Sequence, residues 1–206
     1  MKERSIETLP LDGGVLCLNF INTVHDYLKP DPYDYLEDYS DLLEWSEKAG
    51  LMSSEERETL SLLAQSNIEG AARVHREAIE LRGLFYELFR CIANGQMPDR
   101  HTQDTFNARL QQAMRFLKLT IDKEMQVEQL WDSPKDLAYP MRPVLKSAYE
   151  LLTSGKLERV KACGACGWLF FDKSKNRSRK WCSMESCGSN EKAKRYYHRT
   201  KNKKED

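Results

Sequence analysis

A chain of 206 residues, 40% of them hydrophobic, is large enough to bury a core of its own and predicts one or two domains. Its 32 Lys and Arg balance 32 Asp and Glu, but the balance conceals a split: Lys156 to Lys204 holds 15 basic against 4 acidic residues, +11, so the rest carries −11, the asymmetry of a nucleic-acid-binding tail on an acidic body. The opening MKERSIETLPLDGG is not a secretory signal, no apolar run is long enough to span a bilayer, and six cysteines in a chain of this size suit a reducing cytoplasm better than a disulfide scaffold.

The first apolar run, Val15 to Val24, is interrupted by Asn19 and Asn22 and, next to Asn22, by polar Thr23. Polar groups in a buried segment need partners, which a bound ligand, a helix cap or core hydrogen bonds would each supply. Cys17 and Cys91 sit among apolar neighbours and read as buried free thiols. Tyr27, Tyr33, Tyr35 and Tyr39, interrupted by Pro30 and Pro32, suit either a cover over a pocket or a packed loop. Leu42, Leu43 and Trp45, then Leu60, Leu62 and Leu63, predict two short helices.

From Ile68 to Asn94, Val74, Ala78, Leu81, Phe85, Leu88 and Ile92 recur at alternating spacings of four and three, which predicts one long helix capped by Ser66 and Glu69 and ended by Gly95. Arg82, close to that stripe, is placed to pair with an acidic neighbour or with an anionic ligand. Phe106, Leu110, Ala113 and Leu117 repeat the helical spacing, and LKLTIDKEMQVEQLW alternates as two short strands around Asp122 to Glu124. Ser133 and Pro134 form a helix start, and Pro140 and Pro143 call for a break before a helix that runs to Leu152 and closes at Gly155. The expected fold class is therefore α+β. Residues 1–155 form a mainly helical, acidic domain with a small β-hairpin, and residues 156–206 a small treble-clef-like module.

That module is announced by Cys163, Cys166, Cys182 and Cys187, spaced C-x2-C-x15-C-x4-C. A C-x2-C knuckle brings two thiolates to one metal ion from a single turn, and an intervening hairpin returns a second pair to complete a tetrahedron. Four thiolates make a closed shell, so one structural Zn2+ is expected to shape the fold and do no chemistry. Trp168-Leu169-Phe170-Phe171 suits a strand, KSKNRSRK from Lys173 to Lys180 a basic turn, and Ser189 an N-cap for a final helix. On that helix Lys192, Arg195 and Arg199 share a face with Lys194 beside them, while Ala193, Tyr196 and Tyr197 are expected to lie against the hairpin. Arg177, Arg179 and Lys180 extend the cationic surface, which suits phosphates and base edges.

RVKACGACGWLFFDKSKNRSRKWCSMESCGSNEKAKRYYHR resembles the CGNR zinc finger, in its cysteines, its WLFFD segment, its NRSRKWCSM turn and its basic helix. LCLNFINTV, ELRGLFYELFRCIANG and FNARL resemble recurring segments of the ABATE domain, which precedes that finger and is described as a putative stress-induced transcription regulator. Two positions depart: the naming motif ends as Cys187-Gly188-Ser189-Asn190 without its Arg, and Asn19 stands where Asp is common. The resemblance implies a bacterial, cytoplasmic regulator. Its finger would bind double-stranded DNA through Arg177, Arg179, Lys180, Lys192, Lys194, Arg195 and Arg199, and its larger domain would meet a small-molecule effector near Asn19, Asn22, Thr23 and Arg82.

No phosphate loop, metalloprotease helix or nucleophile with a base nearby is visible, so an enzyme is not expected. RNA binding through the aromatic residues, or a protein-interaction finger on a small-molecule-binding or enzymatic domain, stands as the alternative. No exposed heptad marks a dimer, and a homodimer is left open.

Overall fold

The computed structural model describes residues 4–131 and 136–202, apart from the side chains of residues 198, 199, 201 and 202. The helix start expected at Ser133 and Pro134, and the side chain of Arg199, lie outside them. The architecture is mainly helical with a small two-stranded hairpin, followed by a second hairpin whose turn is the Cys163–Cys166 knuckle; the strand expected to return after Lys173–Lys180 does not form, because Leu169–Phe171 pairs backwards with Val160–Ala162, and a helix ends the module.

The first helix, α1 (Leu16–Ile21), is six residues long and has no side-chain cap. Its Cys17, Leu18, Phe20 and Ile21 are all buried, so tertiary packing rather than propensity holds it. The Cys17 amide, an orphan donor of its first turn, reaches Ser147 Oγ at 3.2 Å. Helices α2 (Tyr39–Lys48) and α3 (Ser54–Ser66) each open on a full capping box, Asp38 with Asp41 and Ser53 with Glu56. Both lay their leucines inward, although Leu62 of α3 is exposed.

The longest helix, α4 (Ile68–Ala93), buries Val74, Ala78, Leu81, Phe85, Leu88 and Phe89. Its cap is Asn67, one residue away from the expected Ser66 box. Asn67 Oδ1 accepts from the Gly70 amide at 3.0 Å, and a Cβ at Gly70 would stand 2.4 Å from the Asn67 side chain, so glycine is what admits the cap. The helix ends at Gly95, whose φ of 68° is the left-handed conformation of a C-terminal stop.

Helix α5 (Arg100–Met114) is capped by Asp99 and stops short of Leu117, which the heptad-like spacing had placed within it. Leu117 instead begins β1 (Leu117–Ile121), paired antiparallel with β2 (Val127–Trp131) so that Leu119 faces Gln129 and Ile121 faces Val127. Alternation with β-branched residues at 120, 121 and 127 competes with the helical period there and wins. Helix α6 (Met141–Thr153) starts at Met141 rather than beyond Pro143. A proline in the first turn removes only an N–H that has no helical partner, so no break is needed.

The remaining elements belong to the cysteine-rich end: β3 (Val160–Ala162), β4 (Leu169–Phe171) and α7 (Ser189–Asn202). Strands β3 and β4 pair antiparallel, Val160 with Phe171 and Ala162 with Leu169. Helix α4 runs through the centre, touching α1, α2, α3, α5, β3 and β4. One continuous apolar cluster joins Phe20, Trp45, Phe85 and Phe89 to Val160, Trp168, Leu169 and Phe170. A fully buried Phe such as Phe170 contributes roughly 1.5–3 kcal/mol, so the module takes part of its stability from the helical body. Among the described residues no helix is long and apolar enough to cross a membrane.

Candidate metal centre and nucleic-acid interface

The knuckle is built by backbone bonds that leave little choice of shape. The Cys163 amide donates to Trp168 O at 2.8 Å, the Gly167 amide donates to Cys163 O at 2.9 Å, and Gly167 takes φ 74°, which turns the chain back. A Cβ on Gly167 would also stand 2.9 Å from Tyr27 Cβ. Opposite, one wide helical turn (Met184–Gly188) carries Cys187 and closes with the Gly188 amide on Ser183 O at 2.9 Å. Trp181 lies across both knuckles, its ring close enough to Gly164 and Gly188 that side chains there would crowd it.

The four Sγ atoms of Cys163, Cys166, Cys182 and Cys187 converge within 4.8 Å of one another. Cys166, Cys182 and Cys187 form a triangle with all three edges at 3.7 Å. Sulfurs held tetrahedrally at the usual Zn–S length of about 2.3 Å would be about 3.8 Å apart, whereas a disulfide would close to about 2.05 Å. The donor set therefore fits one closed, all-thiolate zinc site. Without a cation, burial and then the Cys163 thiolate beside it push the Cys187 thiol up, so the cluster resists full ionisation until a divalent ion supplies the charge. Of the other two cysteines, Cys17 is buried, with burial pushing its thiol up to about 12, while Cys91 is half-buried rather than enclosed.

Between the two cysteine pairs in the chain lies a fully buried carboxylate. Asp172 accepts from the Ser174 amide at 2.9 Å and the Arg179 amide at 3.0 Å and pairs with Lys161 Nζ at 3.0 Å. Burial opposes its ionisation, but the hydrogen bonds and the Lys161 ammonium outweigh burial and hold the carboxyl below the ordinary range. Arg159 adds a second tie, donating to Asp172 O at 2.8 Å and Ser174 O at 3.1 Å. Neither Lys161 nor Arg159 stood out in the sequence, because a basic residue in a basic segment carries no mark of having a structural partner.

The cationic residues divide by what they touch. Arg179 faces inward: Nε donates to Trp181 O at 3.0 Å, Nη2 donates to Cys182 O, and the guanidinium lies 5.2 Å from the Phe170 ring centre. It braces the backbone that presents a zinc ligand. Arg177 and Lys180 are exposed, Arg177 at φ 50° and 3.4 Å from Glu158. On α7, Lys192, Lys194 and Arg195 are exposed, Lys194 lying 2.8 Å from Glu191. Ala193, Tyr196 and Tyr197 do not pack on the hairpin as expected. Both tyrosines are 68% exposed, since α7 leaves the metal along its own axis and meets the module mainly through the Met184–Gly188 turn.

The polar quartet of the helical body has protein partners. Asn19 Oδ1 accepts from the Gly13 amide at 2.8 Å. Asn22 faces Leu169 of β4 with its whole carboxamide, Nδ2 donating to Leu169 O at 2.8 Å and Oδ1 accepting from Leu169 N at 3.0 Å. Thr23 Oγ1 donates to Phe20 O at 2.8 Å and accepts from Arg82 Nη1 at 2.9 Å, and Arg82 is ion-paired with Asp34. Asn22 thus acts as an extra rung on the edge of β4. Around it the Trp168 indole donates to Val24 O at 2.6 Å, the Tyr27 amide to Cys166 O at 2.9 Å and the Phe171 amide to Gly13 O at 2.9 Å. The tyrosine-rich loop is packed: Tyr27 stacks on Tyr86 at 3.9 Å, Tyr35 OH meets His25 Nδ1 at 2.9 Å, and Tyr39 OH donates to Leu137 O at 2.8 Å.

Compared with known families, residues 14–155 match ABATE, described as "Putative stress-induced transcription regulator", and residues 159–200 match the CGNR zinc finger. No curated protein matches the chain. The geometry and the finger match agree on a single structural zinc site at Cys163, Cys166, Cys182 and Cys187.

Proposed function

We propose, for a chain that belongs to the ABATE family, described as "Putative stress-induced transcription regulator", and carries a CGNR zinc finger, that it is a regulator that binds double-stranded DNA. The observation that carries this reading is the run of solvent-facing cations that begins at the metal centre: Arg177 and Lys180 on the turn, then Lys192, Lys194 and Arg195 on α7. Helix α7 has one acid, Glu191, in its first turn. In this reading zinc fixes where the helix starts, Arg179 fixes the turn before it through Trp181 O and Cys182 O, and the two cationic segments serve as one surface. Phosphates supply most of the affinity on such a surface, and an Arg that reaches a guanine edge supplies sequence preference. Arg179 acts beneath this surface as a brace.

Asn22, Thr23 and Arg82 serve in this reading as the joint between body and finger. Asn22 ties α1 to β4, and Arg82 of α4 holds Thr23 beside it, so a change in α4 or α1 reaches the hairpin that carries the zinc.

Selection of bound fragments from random DNA by the zinc-loaded protein is the direct test, with an enriched motif expected. If the five exposed cations each neutralise a phosphate, log affinity should fall against log salt with a slope of about −4.5. Replacing Lys192 and Arg195 by Glu should remove binding, and undiminished binding by that variant would overturn the reading. The exposed Tyr196 and Tyr197 favour a second reading, single-stranded nucleic acid or RNA, because exposed rings on a cationic helix suit base stacking. That reading predicts tighter binding to single strands and its loss on replacing both tyrosines by Ala.

A further inference from the structure

Away from the finger, α4, α5 and α6 line an open cleft of about 370 Å³ onto which four arginines face: Arg73, Arg109, Arg115 and Arg142. A volume of a few hundred Å³ suits a small organic molecule. The charges in it do not balance. Of its described lining residues only Glu77 and Asp136 are acidic. Glu77 lies 4.0 Å from Arg73, Arg109 turns to Glu80 at 3.3 Å, and Asp136 pairs with Arg142. Arg115 forms no ion pair among the described residues.

The arrangement around Phe116 is the informative part. Arg142 Cζ stands 3.7 Å from the centre of its ring and Arg115 Cζ 4.7 Å, so two guanidinium groups share one aromatic ring beside a single carboxylate. The Arg142 side chain is only 4% exposed, and among the described residues Asp136 is the one acceptor its guanidinium reaches. Asp136 offsets the buried Arg142, so Arg115 brings a second positive charge to the same ring with no carboxylate of its own, and an added anion would lower that excess. Arg is also the residue whose planar fork matches a carboxylate or a phosphate. Val74, Leu81, Met141 and Leu145 supply an apolar wall opposite.

We propose that this cleft is an effector site for a small organic anion, its carboxylate or phosphate seated between Arg115 and Arg142 and its apolar body against Val74, Leu81 and Leu145. Binding would draw α5 and α6 onto α4. Helix α4 continues from the cleft to β3 and β4, and α6 carries the Ser147 that holds the first turn of α1. The occupied cleft therefore acts on both elements that position the finger. This consequence for nucleic acid rests on the regulator reading above, whereas the binding itself does not.

The test uses the zinc-loaded full chain, with calorimetry and melting temperature as readouts and benzoate, phenyl phosphate, inorganic phosphate and neutral benzyl alcohol as probes. Benzoate or phenyl phosphate should bind and raise the melting temperature with concentration, and whichever is tighter identifies the headgroup. Inorganic phosphate should bind more weakly than phenyl phosphate, and benzyl alcohol should not register. Arg115→Gln, an exposed change that should fold normally, should weaken the aromatic anion at least tenfold. The double variant Lys192→Glu, Arg195→Glu should leave it unchanged, which excludes binding on α7. Failure of both aromatic anions to bind, or equal binding by Arg115→Gln, would overturn the proposal. Those results with DNA binding intact leave the regulator reading standing; anion binding by a protein that binds no DNA removes that reading and keeps the site.

Discussion

Among the described residues there are two antiparallel hairpins, and the longer one is the less embedded. Strands β1 and β2 have five residues each and β1 alternates apolar with polar residues, yet Leu119 and Ile121 are each 63% exposed and only the Leu117 and Trp131 end approaches the body. Strands β3 and β4 have three residues each, and Leu169 and Phe170 are fully buried. Three-residue strands are too short to persist by their own pairing. What holds them comes from beyond their own pairing: a zinc site that ties the hairpin's turn, through Cys163 and Cys166, to Cys182 and Cys187, the Asn22 carboxamide on the β4 edge, the Trp168 indole on Val24 O, and the buried Asp172 just after β4. Alternation in sequence thus specifies that a hairpin forms, while the ties at its edges and ends specify whether the rest of the molecule depends on it.

The largest effect expected from that contrast is removal of zinc. Chelation, or Cys166→Ser, should cost on the order of 10 kcal/mol of apparent folding free energy at the module. Amide protection should be lost across residues 160–171, and β1–β2 should keep whatever protection it had. Persisting protection at Leu169 after metal removal would break the comparison outright.

Next comes Asn22→Ala, which leaves a buried amide and a buried carbonyl of Leu169 without partners. The expected loss is about 2–4 kcal/mol, read as a lower denaturation midpoint with zinc still bound. A change under about 0.5 kcal/mol would mean that the metal alone positions β4.

Asp172→Asn should cost about 1–3 kcal/mol, since a carboxylate that receives two amides and an ammonium is replaced by a group that must turn one donor toward them. Because the folded value of Asp172 lies below its unfolded one, this contribution is complete above about pH 4 and is lost as pH falls through the depressed folded value. The gap between variant and parent should therefore close toward acid, and a gap that widens there would contradict the assignment.

The smallest effect belongs to the first hairpin. Leu119→Thr or Ile121→Thr should shift stability by no more than about 0.5 kcal/mol, because those side chains are already in water. A loss of 2 kcal/mol or more, well beyond the roughly 0.5 kcal/mol usual at such surface sites, would show that the exposed face has a partner in solution.

The sequence by itself determined whatever depends on residues near one another along the chain. The C-x2-C and C-x4-C spacings marked all four metal ligands, the four-and-three spacing marked α4 to within a residue or two of its ends, and alternation located β1 and β2. Local competition between such signals misplaced Leu117, the cap of α4 and the start of α6, where one or two residues decide between helix, strand and turn. Only the tertiary structure decided what the polar and charged side chains do. Asn22, Thr23 and Arg82 bond to protein groups, Arg179 braces Cys182 while Arg177 and Lys180 face water, Tyr196 and Tyr197 stand exposed, and Arg115 and Arg142 meet at Phe116 from different helices. Periodicity encodes which way a residue faces relative to its own element. A hydrogen bond or an ion pair depends on which distant element arrives opposite, and that is fixed only when the core closes around α4.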